Sequence, residues 1–277
     1  VLPVLTLLFL FLGFLPVQAQ TDDIKTESVT LTEDNRYNPE YYRKPEVRYP
    51  AAKTRTYSVD RSAQTLEEYI VAALENFETE IDVLAYRIPR AEGGSRYLQI
   101  LNNHPGLFYV KSAIKWTYSS QDFVWKYTVT YISTKEEFSQ QKKAFEIAAD
   151  QAVAQVEPSM SDLEKALVVH DYLVQNCEYD YERYSANPDS VPEVSHTAYG
   201  GLVEKMAVCD GYGKAYAYIM NDKLGLPCEV VISDAMNHAW NLIQIDGEWY
   251  HVDATWDDPT WDSIGRVVHK YFRYCNQ

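Results

Sequence analysis

The stretch Val208-Cys209-Asp210-Gly211-Tyr212-Gly213-Lys214-Ala215-Tyr216 decides the reading of this chain. It sets a cysteine at the start of a helical pattern that continues to about Lys223. Tyr212, Ala215, Tyr216, Ile219 and Met220 recur on one face, and Gly225 is the stop. Helix N-termini offer unpaired N–H groups and a positive dipole end, which suit a nucleophilic thiolate. The same N–H groups can hold the oxyanion formed when a thiolate attacks a carbonyl. Gly211 and Gly213 permit close approach of a substrate or a packed element. The bland alternative is a buried structural cysteine.

Two later segments answer Cys209. Asn237-His238-Ala239-Trp240-Asn241 supplies a histidine 29 residues on, and Tyr250-His251-Val252-Asp253-Ala254-Thr255-Trp256 an aspartate 15 residues after that. The strands 228–233, 238–245 and 248–253 are expected from apolar and β-branched runs, with Asp246-Gly247 as a two-residue hairpin turn. Pairing around that turn sets Ile245 opposite Glu248, so partners have numbers summing to 493. Asp253 then faces Trp240, which makes His238 and Asp253 diagonal neighbours about 7–8 Å apart, within side-chain reach. Cys, His and Asp in this order suit a thiol nucleophile, its base and the group that orients the base. His251 shares the strand face of Asp253 and is the rival base.

The preceding chain reads as alternating helix and small sheet. Leu66, Tyr69, Ile70, Ala73, Leu74 and Phe77 have helical spacing, started near Thr65 with Glu67 and Glu68 in the first turn. Residues 80–88 alternate as a strand closed by Pro89 and Gly93-Gly94. His104-Pro105-Gly106 is a turn feeding a strand over 107–118, and 123–132 returns as its hairpin partner. Thr134 with Glu137, and Ser161 with Glu164, have the form of capping boxes. They open helices over about 134–156, ended by Pro158, and 162–176. Residues 177–207 read mostly as loop. No internal repeat is visible.

At 277 residues, with 46% hydrophobic and 23% charged residues, a packed core is expected. The formal net charge of −15 argues against a nucleic-acid partner, which needs a basic face. The 23 tyrosines carry large apolar area with a polar tip, suited to half-buried sheets and open clefts. Val1 to Val17 is nearly all apolar, interrupted by Pro16, with Ala19 before Gln20. Residues 1–20 read as a cleaved signal peptide, after which no membrane span is expected. Residues 21–60 read as a linker or loosely docked arm, 61–155 as an N-terminal α+β domain and 156–277 as the catalytic core.

Cys177, Cys209, Cys228 and Cys275 match no zinc spacing, and Cys177 and Cys228 read as free buried thiols unless two cysteines pair outside the cytosol. His170 and Asp171 read as structural. Asp257, Asp258 and Asp262 match no EF-hand loop and read as a solvated acidic turn. The rings of Trp240, Trp249, Tyr250 and Trp256 are open to either reading, cleft lining or core.

Three segments together resemble the transglutaminase-like superfamily of papain-type thiol enzymes: AYGGLVEKMAVCDGYGKAYAYIM, NHAWNLIQIDGEWYHVDATWDDP and, less sharply, EKALVVHDYLVQNCEYDYE. They cover about residues 158–260, and the part from residue 65, with HPGLFYV, resembles the N-terminal extension of bacterial members. The resemblance implies an α+β fold, with the nucleophile helix packed on an antiparallel sheet. It makes Cys209 the nucleophile, His238 rather than His251 the base, and Asp253 its partner. It implies amide chemistry through a thioester, needing no metal or organic cofactor, with a peptide or protein substrate, cell-surface material included. The Cys209 N–H and Tyr199 are candidate oxyanion donors, and Trp240 a candidate cleft wall. The alternatives are a catalytically silent domain binding peptide or cell-wall material, and a structural surface protein using the Tyr-rich arm. The signal peptide implies a secreted or cell-surface location.

Overall fold

The computed structural model describes residues 65–233, 235–258 and 267–274. The expected signal peptide and arm, Asp262 and Cys275 lie outside the described residues. Helix α1 (Leu66–Glu75) starts on a complete capping box. The Thr65 hydroxyl accepts from the Glu68 N–H, and the Glu68 carboxylate accepts from the Thr65 N–H. The same reciprocal bonds open α3 (Lys135–Ala152) at Thr134 and Glu137, and α4 (Asp162–Asn176) at Ser161 and Glu164. Each box satisfies N–H groups that a helix start otherwise leaves unpaired.

The expected strand over 80–88 is shorter. Strand β1 (Glu80–Asp82) ends because the Asp82 carboxylate accepts the Leu84 N–H and turns the chain into a 3₁₀ segment, Leu84–Tyr86, with Arg87 at φ 51°. The Gly93-Gly94 pair does not only close a strand: it opens helix α2 (Gly93–Asn103). A Cβ at Gly93 would stand 3.0 Å from both Trp116 Nε1 and Val124 Cγ2, so this helix packs closely on the adjacent sheet. The expected hairpin forms between β2 (Lys115–Tyr118) and β3 (Val124–Thr128), both shorter than their apolar runs, and β3 is central in the antiparallel order β1–β3–β2. Residues 105–107 form a 3₁₀ turn, which delays the strand that the sequence places from 107.

The stretch read as loop contains short paired pieces. Strands β4 (Glu178–Tyr179) and β5 (Met206–Ala207) run parallel, α5 spans Tyr181–Ala186, and Gly200–Glu204 makes a π turn. Helix α6 (Cys209–Tyr218) continues into a second π turn, Ile219–Lys223, and Gly225 follows at φ +67°. Strands β6 (Cys228–Ser233), β7 (His238–Ile245), β8 (Glu248–Val252) and β9 (Phe272–Tyr274) form an antiparallel sheet in sequential order. The β7–β8 register is Ile245↔Glu248 through Asn241↔Val252, as the two-residue turn requires. Asp246 and Gly247 both have positive φ, the geometry of a type I′ turn.

A single apolar cluster runs from Ile70 to Ala254. Phe108 is its hinge point, with ring centroids 4.6 Å from Phe145 and 4.9 Å from Tyr199. The tyrosines go deeper than half-buried sheets. Tyr97, Tyr109, Tyr127, Tyr212 and Tyr216 are fully buried. Four of them donate to main-chain carbonyls, of Lys111, Leu74, Gly93 and Ala166 in that order of Tyr97, Tyr109, Tyr127 and Tyr216. A buried phenol needs such a partner, because an unmade hydrogen bond in the core costs about 1–3 kcal/mol.

Candidate active site

Cys209 is the first residue of α6 and is half-buried. Two glycines line its packed faces, Gly211 against the 3₁₀ turn at Ser195 and Gly213 against the sheet. A Cβ on Gly211 would stand 2.3 Å from the Ser195 carbonyl oxygen. At Gly213 the neighbours are Val230, Asn241 and the Trp240 carbonyl of the sheet, so a packed element meets that face. The Asn241 amide, buried on β7, donates to the Gly213 carbonyl at 2.8 Å and to that of Glu229 at 3.3 Å. It ties helix to sheet at the level of the site.

His238 begins β7, and Asp253 follows directly on β8. The His238 Nε2 lies 2.6 Å from Asp253 Oδ2. Cys209 is near enough to the same ring to act on its basicity. The other carboxylate oxygen, Asp253 Oδ1, accepts the Trp256 N–H at 3.0 Å. Burial pushes the His238 imidazole down, but the Asp253 carboxylate and Cys209 outweigh it and raise it to about 10. The Trp256 ring stacks on His238 at 4.4 Å and 6°, and Trp240 lies nearly parallel at 5.8 Å. Ring, carboxylate and indoles thus hold the imidazole in one orientation.

The other sequence candidates divide. His251 accepts from the Trp240 indole N–H through Nδ1 at 2.8 Å, and burial lowers its basicity. Trp240 therefore bridges the two histidines. Tyr199 packs against Phe108 and Phe145 in the core, and burial raises its phenol. Asp210, next to Cys209, receives His196 Nδ1 at 2.9 Å and Lys214 Nζ at 3.2 Å. Burial raises its carboxyl, and Lys214 and His196 reverse that and leave it below its usual value. Its charge is thereby compensated within one turn of the thiol. The Asp210–Lys214 spacing was visible in the sequence; His196 had no signal of its own. Trp256 also carried a signal, since an N–H three residues after Asp253 can close a turn on its carboxylate.

The solvated acidic turn is corrected. Asp257 is 0% exposed and Asp258 accepts the buried Tyr212 hydroxyl. Asp257 receives His170 Nε2 at 3.1 Å and the Tyr271 N–H at 2.9 Å. A carboxylate with two such donors is stable in the interior, where an unpaired one is not. Cys177 and Cys228 are free and buried, and burial pushes the Cys177 thiol up to about 12. They match no nucleophile environment. Among the described residues, no helix is long and apolar enough to cross a membrane.

Residues 149–254, which carry all three site residues, match the model of the transglutaminase-like superfamily. The fold is a mixed helix and sheet architecture with antiparallel sheets. The chain is 27% identical over 113 residues to mouse (Mus musculus) kyphoscoliosis peptidase, a match spanning 35% of this chain and 16% of that protein. The human (Homo sapiens) protein of the same name is 26% identical over 121 residues, 38% of this chain and 17% of its own length. This chain therefore matches about one-sixth of the length of these relatives. Among solved structures, a transglutaminase aligns with TM-score 0.37 and 19% identity, over 58% of this chain and 47% of that one. A candidate cysteine protease from Cytophaga hutchinsonii aligns with TM-score 0.30 and 16% identity, over 52% and 61%.

Proposed function

We propose that this chain is an exported thiol enzyme acting on peptide or protein amides through Cys209, His238 and Asp253. The observation that carries the reading is the 2.6 Å His238–Asp253 contact, on a ring whose basicity is also raised by Cys209 at a helix N-terminus. In this reaction the Cys209 sulfur attacks the amide carbonyl, and the carbonyl π pair moves to oxygen. The Cys209 main-chain N–H helps hold that oxyanion. His238, protonated, gives its proton to the leaving nitrogen as the C–N bond breaks and a thioester forms. Attack on the thioester by water gives hydrolysis; attack by an amine gives a crosslink. Asp253 keeps the imidazole in the tautomer and orientation that both steps need. Trp240 and Trp256 support the reading as aromatic walls around the base, and the raised basicity of His238 supports its role as the acid.

The test is the rate of Cys209 alkylation by iodoacetamide against pH, with His238→Ala alongside. Reactivity that persists well below the range in which an ordinary thiol ionises, and that is lost in the variant, is the expected result. Peptide amides offered with and without an amine acceptor then distinguish transfer from hydrolysis. A Cys209 that reacts as an ordinary thiol in both proteins overturns the enzyme reading in favour of a silent peptide- or cell-wall-binding domain.

A further inference from the structure

A second cluster of chemistry-bearing side chains lies away from Cys209, where α4 meets the segment leading into β9. His170 Nδ1 is 3.0 Å from Asp171 Oδ1, and His269 Nε2 is 2.7 Å from the same oxygen. One ligand atom from each of the three residues falls within 4.8 Å of the others. The two imidazole centroids are 5.5 Å apart, and Phe272 covers His170 at 5.1 Å.

We propose that His170, Asp171 and His269 form a binding site for one divalent transition ion of the zinc class. Two imidazoles and a carboxylate are the donor set such ions take. Four ligands at about 2.1 Å around a tetrahedral ion stand about 3.4 Å apart, between the two carboxylate–imidazole spacings of 3.0 and 2.7 Å and the 4.8 Å limit that encloses all three ligand atoms. Binding an ion therefore requires the side chains to rotate into place. His269 and Asp171 are on the solvent side, with side chains 45% and 31% exposed, which provides an entry path and a position for water.

The outer partners fit the same role. A metal-bound histidine almost always passes its other N–H to a carboxylate. His170 does this with Asp257 through Nε2, in the fully buried interior. Asp257 is fixed in turn by two bonds from the Tyr271 N–H. The ion displaces the protons that the two ring nitrogens otherwise share with Asp171, and no electron transfer is involved. Its effect is structural: it joins α4 to the residues before β9. The Tyr271 carbonyl there accepts the Asp253 N–H at 3.1 Å, so the clamp sits two residues from a strand contact of the candidate active site.

The proposal does not depend on the enzyme reading. Its test uses the Cys209→Ser chain, so that the Cys209 thiol cannot capture the probe together with His238. Zinc chloride is titrated calorimetrically, with thermal melting in parallel. One ion per chain and a raised melting temperature are expected. His269→Ala removes an exposed ligand without touching the core, and is expected to weaken binding at least ~100-fold and abolish the melting shift. Asp257→Asn is expected to lower affinity about 10–100-fold through His170. No stoichiometric zinc uptake by a folded Cys209→Ser chain overturns the site. Equal affinity in His269→Ala also overturns it, because the zinc would then be bound elsewhere.

Discussion

His238 has its basicity set by three neighbours of opposite effect. Burial disfavours the charged ring, and Asp253 and Cys209 restore it to about 10 from the ordinary 6.5. Removing the Asp253 charge leaves burial unopposed on that side. Asp253→Asn is therefore expected to move the alkaline limb of the amide-turnover profile down from near 10, and to lower the rate by roughly a hundredfold or more. A limb that stays in place would show that Asp253 does not act through this ring. The same shift bears on folding. A raised imidazole contributes stability fully below about 6.5, and that contribution is lost as pH rises through about 10. Denaturant unfolding of wild type and His238→Gln should show a stability gap that is flat in mild acid and shrinks steadily between those values.

Among elements, α6 and the sheet decide whether the site exists. The helix starts where Val208, Ser195 and the glycines allow it to, with the Val208 N–H on the Ser195 carbonyl at 3.0 Å. Gly211 is the tightest point. A methyl group there meets the Ser195 carbonyl oxygen and the Ala207 Cβ, the first main chain and the second fixed directly to it. Alanine gains up to ~1 kcal/mol of helix propensity over glycine. Overpacking against main chain costs about 1–3 kcal/mol, so Gly211→Ala is expected to be net destabilising in denaturant unfolding. It should also slow Cys209 alkylation, because the helix start must move. Gly225, with φ +67° and open space around it, is a different case: its requirement is conformational and says nothing about the site.

For the molecule as a whole, one core joins the first helices to the matched region. Phe108 and Phe145 come from the part before residue 156, and Tyr199 and Tyr218 from the part after it, yet their rings pack together at 4.5–6.4 Å. Glu146 on α3 adds bonds from the Tyr218 hydroxyl and from Lys223 Nζ beyond α6. Residues 65–258 should therefore unfold in a single calorimetric transition. Phe108→Ala should lower the stability of the whole by about 3–5 kcal/mol. Two resolved transitions, with only the first moved by Phe108→Ala, would instead establish independent domains divided near residue 156.

Much of this was legible in the chain itself. The capping boxes at Thr134 and Ser161, the span of α4, the strands β6 and β7 and the β7–β8 register follow from local rules: reciprocal caps, apolar period and a two-residue turn that admits one pairing. Those rules also bring His238 and Asp253 within reach, since the register of a hairpin is short-range information. Tertiary structure alone decided the rest. Asp257 reads as solvated until His170, far back in the chain, reaches it in the interior. His196 compensates Asp210 only because a 3₁₀ turn folds beside α6. The strand at 80–88 is cut short by a side chain bonding its own backbone, and α2 is hidden behind two glycines whose role is to lie on a tryptophan. Periodicity reports which face is apolar; it does not report which distant partner a buried polar group finds, and burial of such groups is settled by those partners.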